Sequence, residues 1–236
     1  MITIQNAAKY YGGLCAFRIP ELTIEDGQVV GLLGENGAGK TSLLKALAGL
    51  TDCAGALHID GMPARKKYAE ISFITEEGSS FGFMTPSEFG EFLCDFFPHF
   101  QPERYQNLLE FFELPKGRPI RTFSNGQRAK VEVAAGFSKG ARYIFMDEPF
   151  LGKDIFTRRD FLKLMASSLH GEETILLSTH QVEEIENFLD RVIILHQGKI
   201  AANELLDDLH RQNITLTQRM QQVTGYDPER YRRFAF

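Results

Sequence analysis

The chain has 236 residues, 26 basic and 31 acidic, and its formal net charge of −5 leaves no overall positive field to draw it to nucleic acid or anionic lipid. An apolar fraction of 43% suffices for one large core, whereas the longest stretch free of Asp, Glu, Lys and Arg, the ten residues Gly78 to Ser87, falls well short of the roughly 20 that cross a bilayer. Cys15, Cys53 and Cys94 are scattered without metal-ligand spacing, and the first residues lack the basic start and apolar block of a secretory leader, so a reducing, cytoplasmic location is expected.

In chain order, residues 1 to 27 read as short strands (Ile2 and Ile4, Ala16 to Ile19, Leu22 to Ile24) with turns at Gly12-Gly13 and Asp26-Gly27. Gln28 to Leu33 is an apolar run typical of a strand buried on both faces, and Lys40 to Leu50 is helix-forming. Leu57 to Gly61 and Ile71 to Ile74 read as further strands. Phe89, Phe92, Leu93, Phe96, Phe97 and Phe100 recur at helical spacing, with Pro98 expected to end or kink that helix. Eleven of the 20 Phe lie between residues 77 and 140, so this region must bury rings against something. A second helix is expected over Glu103 to Phe112, then strands at Tyr143 to Met146, Thr174 to Ser178 and Val192 to Leu195, with a helix over Thr157 to Leu169. Apolar strands alternating with helices imply a mainly parallel sheet, whose chemistry sits at the carboxyl ends of its strands.

Those ends carry three polar clusters. Gly34 to Thr41, GENGAGKT, satisfies G-x-x-x-x-G-K-[ST] after a buried strand and at a helix start. Asn36, Gly37, Ala38, Gly39, Lys40, Thr41 and Ser42 would wrap the phosphates of a nucleoside triphosphate. Backbone N–H groups and the helix start attract the anion, Lys40 adds a full charge, and the Thr41 hydroxyl can bind Mg²⁺. No N-K-x-D that would read guanine is present. The second cluster is Asp147-Glu148 and the third Thr179-His180. Separately, Ser124 and Gln127 have the spacing of a capping box, which would start a helix with free N–H groups facing outward.

Taken together, these motifs resemble, over about residues 1 to 200, the ATP-binding subunit of an ABC transporter. GENGAGKT is similar to the Walker A loop, Phe123-Ser124-Asn125-Gly126-Gln127 to the signature, Tyr143 to Glu148 to the Walker B strand with its catalytic glutamate, Gly152-Lys153-Asp154 to the D-loop, and His180 to the switch histidine. The resemblance implies a P-loop NTPase (RecA-like) α/β core with a mainly parallel sheet, an N-terminal antiparallel β-subdomain and an inserted α-helical subdomain. Within a single domain over 1–236, residues 1–27 and 55–75 would contribute to the β-subdomain, 28–54 and 141–200 to the catalytic core, 77–140 to the helical subdomain and 201–236 to a C-terminal extension.

The resemblance also assigns roles. ATP with Mg²⁺ would be held by Thr41, Asp147 and Glu76, the last standing where the family usually has glutamine. A carboxylate can still coordinate the ion but cannot donate a hydrogen bond. Glu148 would deprotonate the attacking water and His180 would contact the γ-phosphate. Tyr11 matches the adenine-stacking position, with Tyr10 as competitor. Ser124, Gly126 and Gln127 would bind the ATP held by a second ATPase subunit, identical or related, in a head-to-tail dimer. Asn125 replaces the commoner glycine, and its tolerance of left-handed backbone would preserve the loop shape. These variations, with Phe97-Pro98-His99-Phe100, resemble exporter ATPases of Gram-positive bacteria. A separate membrane-spanning permease would then be the partner, holding this chain peripherally at the inner face of the membrane. Phe81, Phe83 or Phe89 would line the docking groove while the other rings fill the helical lobe. The competing reading is a non-transport ATPase of the same family that remodels a soluble or nucleic-acid partner. The absence of a basic stripe beyond Arg230, Arg232 and Arg233 argues against it, and no nucleic acid is expected.

Overall fold

The computed structural model describes residues 1–75, 78–149, 161–163, 172–180, 182 and 185–226. The expected N-terminal short strands form one long hairpin, β1 (Ile2–Tyr11) and β2 (Leu14–Ile24), joined at Gly12-Gly13. Ile2, Ile4 and Ala7 on one strand and Phe17, Ile19, Leu22 and Ile24 on the other all point to one buried face. Strands β4 (Ala54–Ile59) and β5 (Met62–Pro63) complete this antiparallel sheet, in the order β2-β1-β4-β5.

The second sheet has the order β10-β9-β3-β8-β7-β6. Its strands β3 (Val29–Leu33), β6 (Ile71–Thr75), β7 (Tyr143–Asp147), β8 (Thr174–Thr179) and β9 (Arg191–His196) are parallel, and β10 (Lys199–Leu205) returns antiparallel on β9. Residues 71–75, assigned from sequence to the antiparallel subdomain, therefore belong to the parallel sheet. Ile71 and Phe73 pack on one core and Ile74 on the other, which suits a strand covered on both faces.

Alternation along the parallel strands divides the interior in two. Val30, Leu32, Tyr143, Phe145, Leu176, Ile193 and Leu195 face the hairpin and the helix α1 (Lys40–Leu47). Leu33, Ile74, Ile144, Met146, Ile175, Leu177, Val192 and Ile194 face the other way, into a core shared with the helices. On that side α2 (Pro86–Phe96) starts with a Thr85–Glu88 capping box and stops before Pro98, as the spacing predicts. It is followed by α3 (Pro102–Phe111) and α4 (Asn125–Ser138). Tyr105 is 1% exposed and donates to the Pro86 carbonyl at 3.0 Å, fixing α3 against α2.

Two expectations are corrected in this region. Phe89 is only 2% exposed, so it fills the lobe and cannot line a groove. Asn125 is the first residue of α4 with ordinary helical backbone, so its tolerance of left-handed geometry is not used. The described part of the C-terminal extension, up to Tyr226, is structured as well. Helices Leu206–Arg211 and Leu216–Thr224 bury Leu206, Leu209 and Leu216 in the core that holds Val192 and Ile194. Glu76, the Gly152-Lys153-Asp154 segment, the three tail arginines and all of Thr157 to Leu169 except the helical residues 161–163 lie outside the described residues.

Helix α4 reaches the sheet at Gly136. Its carbonyl accepts from the Ser72 hydroxyl at 2.9 Å, and a Cβ there would stand 2.5 Å from Ile74 Cδ1 and 3.2 Å from Ser72 Oγ. Gly136→Ala should therefore cost about 1–3 kcal/mol as overpacking, read as a lowered midpoint in urea unfolding at unchanged slope. An unchanged midpoint would show that α4 can lift from β6 without loss.

Candidate functional site

Strands β3, β8 and β7 are neighbours, so their carboxyl ends bring together residues far apart in the chain. Leu33 pairs with Thr179, and Ser178 with Asp147. In β7, Asp147 shares the face of Tyr143 and Phe145, and in β8 Ser178 shares that of Leu176. Alternation therefore aims both polar side chains at α1, whose first residues are Lys40 and Thr41.

The loop that enters α1 depends on glycine. Gly39 caps the helix at φ +102°, and a Cβ there would run into the Ala16 carbonyl. Asn36 and Gly37 are exposed, Ala38 is buried, and Ser42 is half-buried behind the helix start. Lys40 is 6% exposed, and its ammonium donates to the carbonyls of Gly34 at 2.8 Å and Glu35 at 3.2 Å, with Glu148 Oε1 at 3.8 Å. Burial pushes the lysine below its usual range, and the carboxylates of Glu148 and Asp147 oppose that shift.

Asp147 Oδ1 accepts from Thr41 Oγ1 at 2.9 Å and from Ser178 Oγ at 2.7 Å. Hydroxyl and carboxylate oxygens converging in this way are the hard donors that suit Mg²⁺ completed by phosphate and water. Ser178 went unnoticed in the sequence. Its signal is a fully buried hydroxyl residue closing an apolar strand, which has to find a polar partner.

Glu148 has left-handed backbone, φ +47°, in a non-glycine residue. Its N–H lies 3.0 Å from Ser178 Oγ and 3.1 Å from Ser178 O, which hold this disfavoured turn. The turn places the carboxylate between Lys40 and His180, whose Nδ1 is 3.0 Å from Glu148 Oε2. His180 is 40% exposed at the side chain, so this end of the cluster meets solvent.

The remaining candidates lie apart from this cluster. Ser124 Oγ accepts from the Gln127 N–H at 3.2 Å, and Gln127 Oε1 accepts from the Ser124 N–H at 3.1 Å. The capping box expected from the spacing is thus formed, at an exposed helix start that includes Gly126. Tyr10 and Tyr11 are both about half exposed at the end of β1, and Lys9 Nζ stands 4.9 Å from the centre of the Tyr11 ring.

Residues 17–151 match the family model described as ABC transporter. The chain is 33% identical to the ABC transporter ATP-binding protein NatA of Bacillus subtilis over 89% of its own length and 92% of that protein. It is 30% identical to the lipopolysaccharide export system ATP-binding protein LptB of Haemophilus influenzae, over 86% and 89%. A solved structure described as the ATP binding subunit of an ABC transporter superposes with a TM-score of 0.85 at 26% identity, covering 95% of this chain and 99% of that one. With a glycine-rich loop, an Asp-Glu pair and a histidine at one sheet edge, the chain belongs to the ABC transporter family, as an ATP-binding subunit and an ATPase.

Proposed function

We propose that this chain hydrolyses ATP as the energy-coupling subunit of a transporter whose membrane-spanning permease is a separate polypeptide, and that each ATP lies between two ATPase subunits. The observation that carries the reading is the meeting of Lys40, Thr41, Asp147, Glu148 and His180 at the ends of β3, β7 and β8. No helix among the described residues is long and apolar enough to cross a membrane, which is compatible with a pore supplied by another chain.

In this reading the loop from Asn36 to Ser42 wraps the phosphates, and Lys40 exchanges its two carbonyl contacts for the β- and γ-phosphate oxygens. Thr41 and Asp147 would hold Mg²⁺, with Glu76 as a further candidate, and the ion would supply charge neutralisation for the transferred phosphoryl group. Glu148 accepts a proton from the water whose oxygen attacks the γ-phosphorus as the bond to the β-phosphate oxygen breaks. His180 steadies that carboxylate through the 3.0 Å contact and reaches the γ-phosphate from the solvent side. Ser178 positions both acids, one through its hydroxyl and the other through the backbone turn. Tyr11 stacks on adenine.

Ser124, Gly126 and Gln127 serve the ATP of the opposite subunit. Their helix start is exposed, among the described residues its side chains bond within the first turn, and the N-terminal end of α4 carries about half a positive charge. The second subunit is a copy or a relative of this chain. Export is the direction proposed, on the resemblance at Phe97 to Phe100 and on the likeness to LptB. Location is the inner face of the membrane, held by the permease.

The permease would meet a row of rings. Phe83 and Phe81 are 66% and 41% exposed with centroids 5.8 Å apart, Phe81 meets Phe92 at 5.1 Å, and Phe92 meets Phe96 at 4.4 Å. A contiguous apolar surface of this kind suits a short amphipathic helix of a membrane protein.

Glu148→Gln should slow hydrolysis about 100-fold or more while ATP still binds and a dimer accumulates on size-exclusion chromatography. Parent-like turnover would remove Glu148 as the base. Ser124→Ala should weaken ATP-dependent dimerisation more than nucleotide binding by the monomer, and equal losses would count against a role across the dimer. Recovery of a multi-span membrane protein with this chain from solubilised membranes, reduced by Phe83→Ser, is the expected outcome for transport. A soluble protein or nucleic acid recovered in its place would overturn it.

A further inference from the structure

Glu132, in the middle of α4, is 2% exposed and takes no part in the mechanism above. Its Oε2 accepts from the Ser79 N–H at 2.8 Å and its Oε1 from the Ser79 hydroxyl at 2.8 Å. Burial raises its pKa above the ordinary carboxylate value, and the two Ser79 bonds and the buried Lys139 oppose that rise. Packing alone would be served as well by an apolar side chain, because a buried carboxylate carries a desolvation cost that only good partners offset. Ser79 lies three residues beyond Glu76 and two before Phe81.

The segment from Ser79 to Met84 is tied to the α4 unit at its other end too. Arg121 N–H donates to the Gly82 carbonyl at 2.8 Å and Ile120 N–H to the Met84 carbonyl at 2.8 Å. Ile120 and Arg121 lie in the turn that leads directly to Ser124. Exposed rings at Phe81 and Phe83 thus stand on a short loop fastened both to the middle of α4 and to the approach to its first turn.

We propose that Glu132 is a positioning residue: through its double bond to Ser79 it locks the Ser79–Met84 loop and α4 into one body, and so sets the placement of Ser124 toward the nucleotide of the opposite subunit. This rests on the two-subunit reading above. A displacement of the ring-bearing loop is then carried to the helix start rather than absorbed between them.

The test uses the full chain in a Glu148→Gln background, with ATP-dependent dimer formation followed by analytical ultracentrifugation and ATP binding by the monomer followed separately. Glu132→Ala should raise the ATP concentration needed for half-maximal dimer about tenfold, as expected for losing hydrogen bonds to a charged group, with monomer affinity changed less than about twofold on the same scale. Glu132→Gln can accept from the Ser79 N–H and donate to its hydroxyl, so it should restore most of the dimer. Ser79→Ala removes one of the two bonds with little risk to folding and should show an intermediate shift. Unchanged dimerisation in Ser79→Ala and in any folded Glu132→Ala protein, or an equal loss of monomer binding, would overturn the positioning role and leave the two-subunit reading standing. A Glu148→Gln parent that forms no dimer with ATP would overturn both.

Discussion

The register of three neighbouring parallel strands is the constraint on which the site depends. Asp147 and Ser178 are paired residues on β7 and β8, and their side chains bond at 2.7 Å on the face that meets α1. Side-chain direction has a period of two along a strand, so a one-residue slip of either strand would turn its acid or its hydroxyl to the opposite core. In one direction the slip would also bring Met146 or Leu177 to the end of α1. Continuous apolar packing on both faces makes such a slip costly, and the same packing leaves the strand ends as the place where polar chemistry can gather.

Two groups at that edge are held in conformations that bond within the protein itself. Lys40 is buried with its ammonium on the Gly34 and Glu35 carbonyls. Glu148 is kept in left-handed backbone by Ser178 and faces both Lys40 and His180. A buried cation with three oxygen neighbours is satisfied, so in the proposed reading phosphate oxygens would have to replace partners of similar strength, and the net gain on binding would be smaller than the raw charge suggests.

How much of this was legible in the sequence depended on whether a feature is local. The glycine-capped turn into α1, the Ser124 and Gln127 cap and the helix ending before Pro98 are set by residues within a few positions of each other, and all three stand in the structure as the spacing indicated. The alternation that buries both faces of β3, β7 and β8 was also readable. Assignment of Ile71–Thr75 to a sheet was not, because pairing is decided by a partner some 70 residues away rather than by the strand's own pattern. Ser178 escaped notice because its partner Asp147 lies 31 residues earlier. Phe89 and Phe83 are alike in a list of rings, and only the packing of α2 on α3 and α4 separates the buried one from the exposed one.

The C-terminal helices change how the chain's boundary should be understood. Leu206, Leu209 and Leu216 close the same interior that holds Val192 and Ile194 of the catalytic sheet, and Arg219 clamps Glu204 with two bonds at 2.7 and 2.5 Å. The motif-bearing region and the extension therefore share one folding unit. Shortening the chain near residue 200 would strip an inner wall rather than trim an appendage, and the damage would surface first as loosened strands beneath the cluster of Lys40, Asp147 and Glu148.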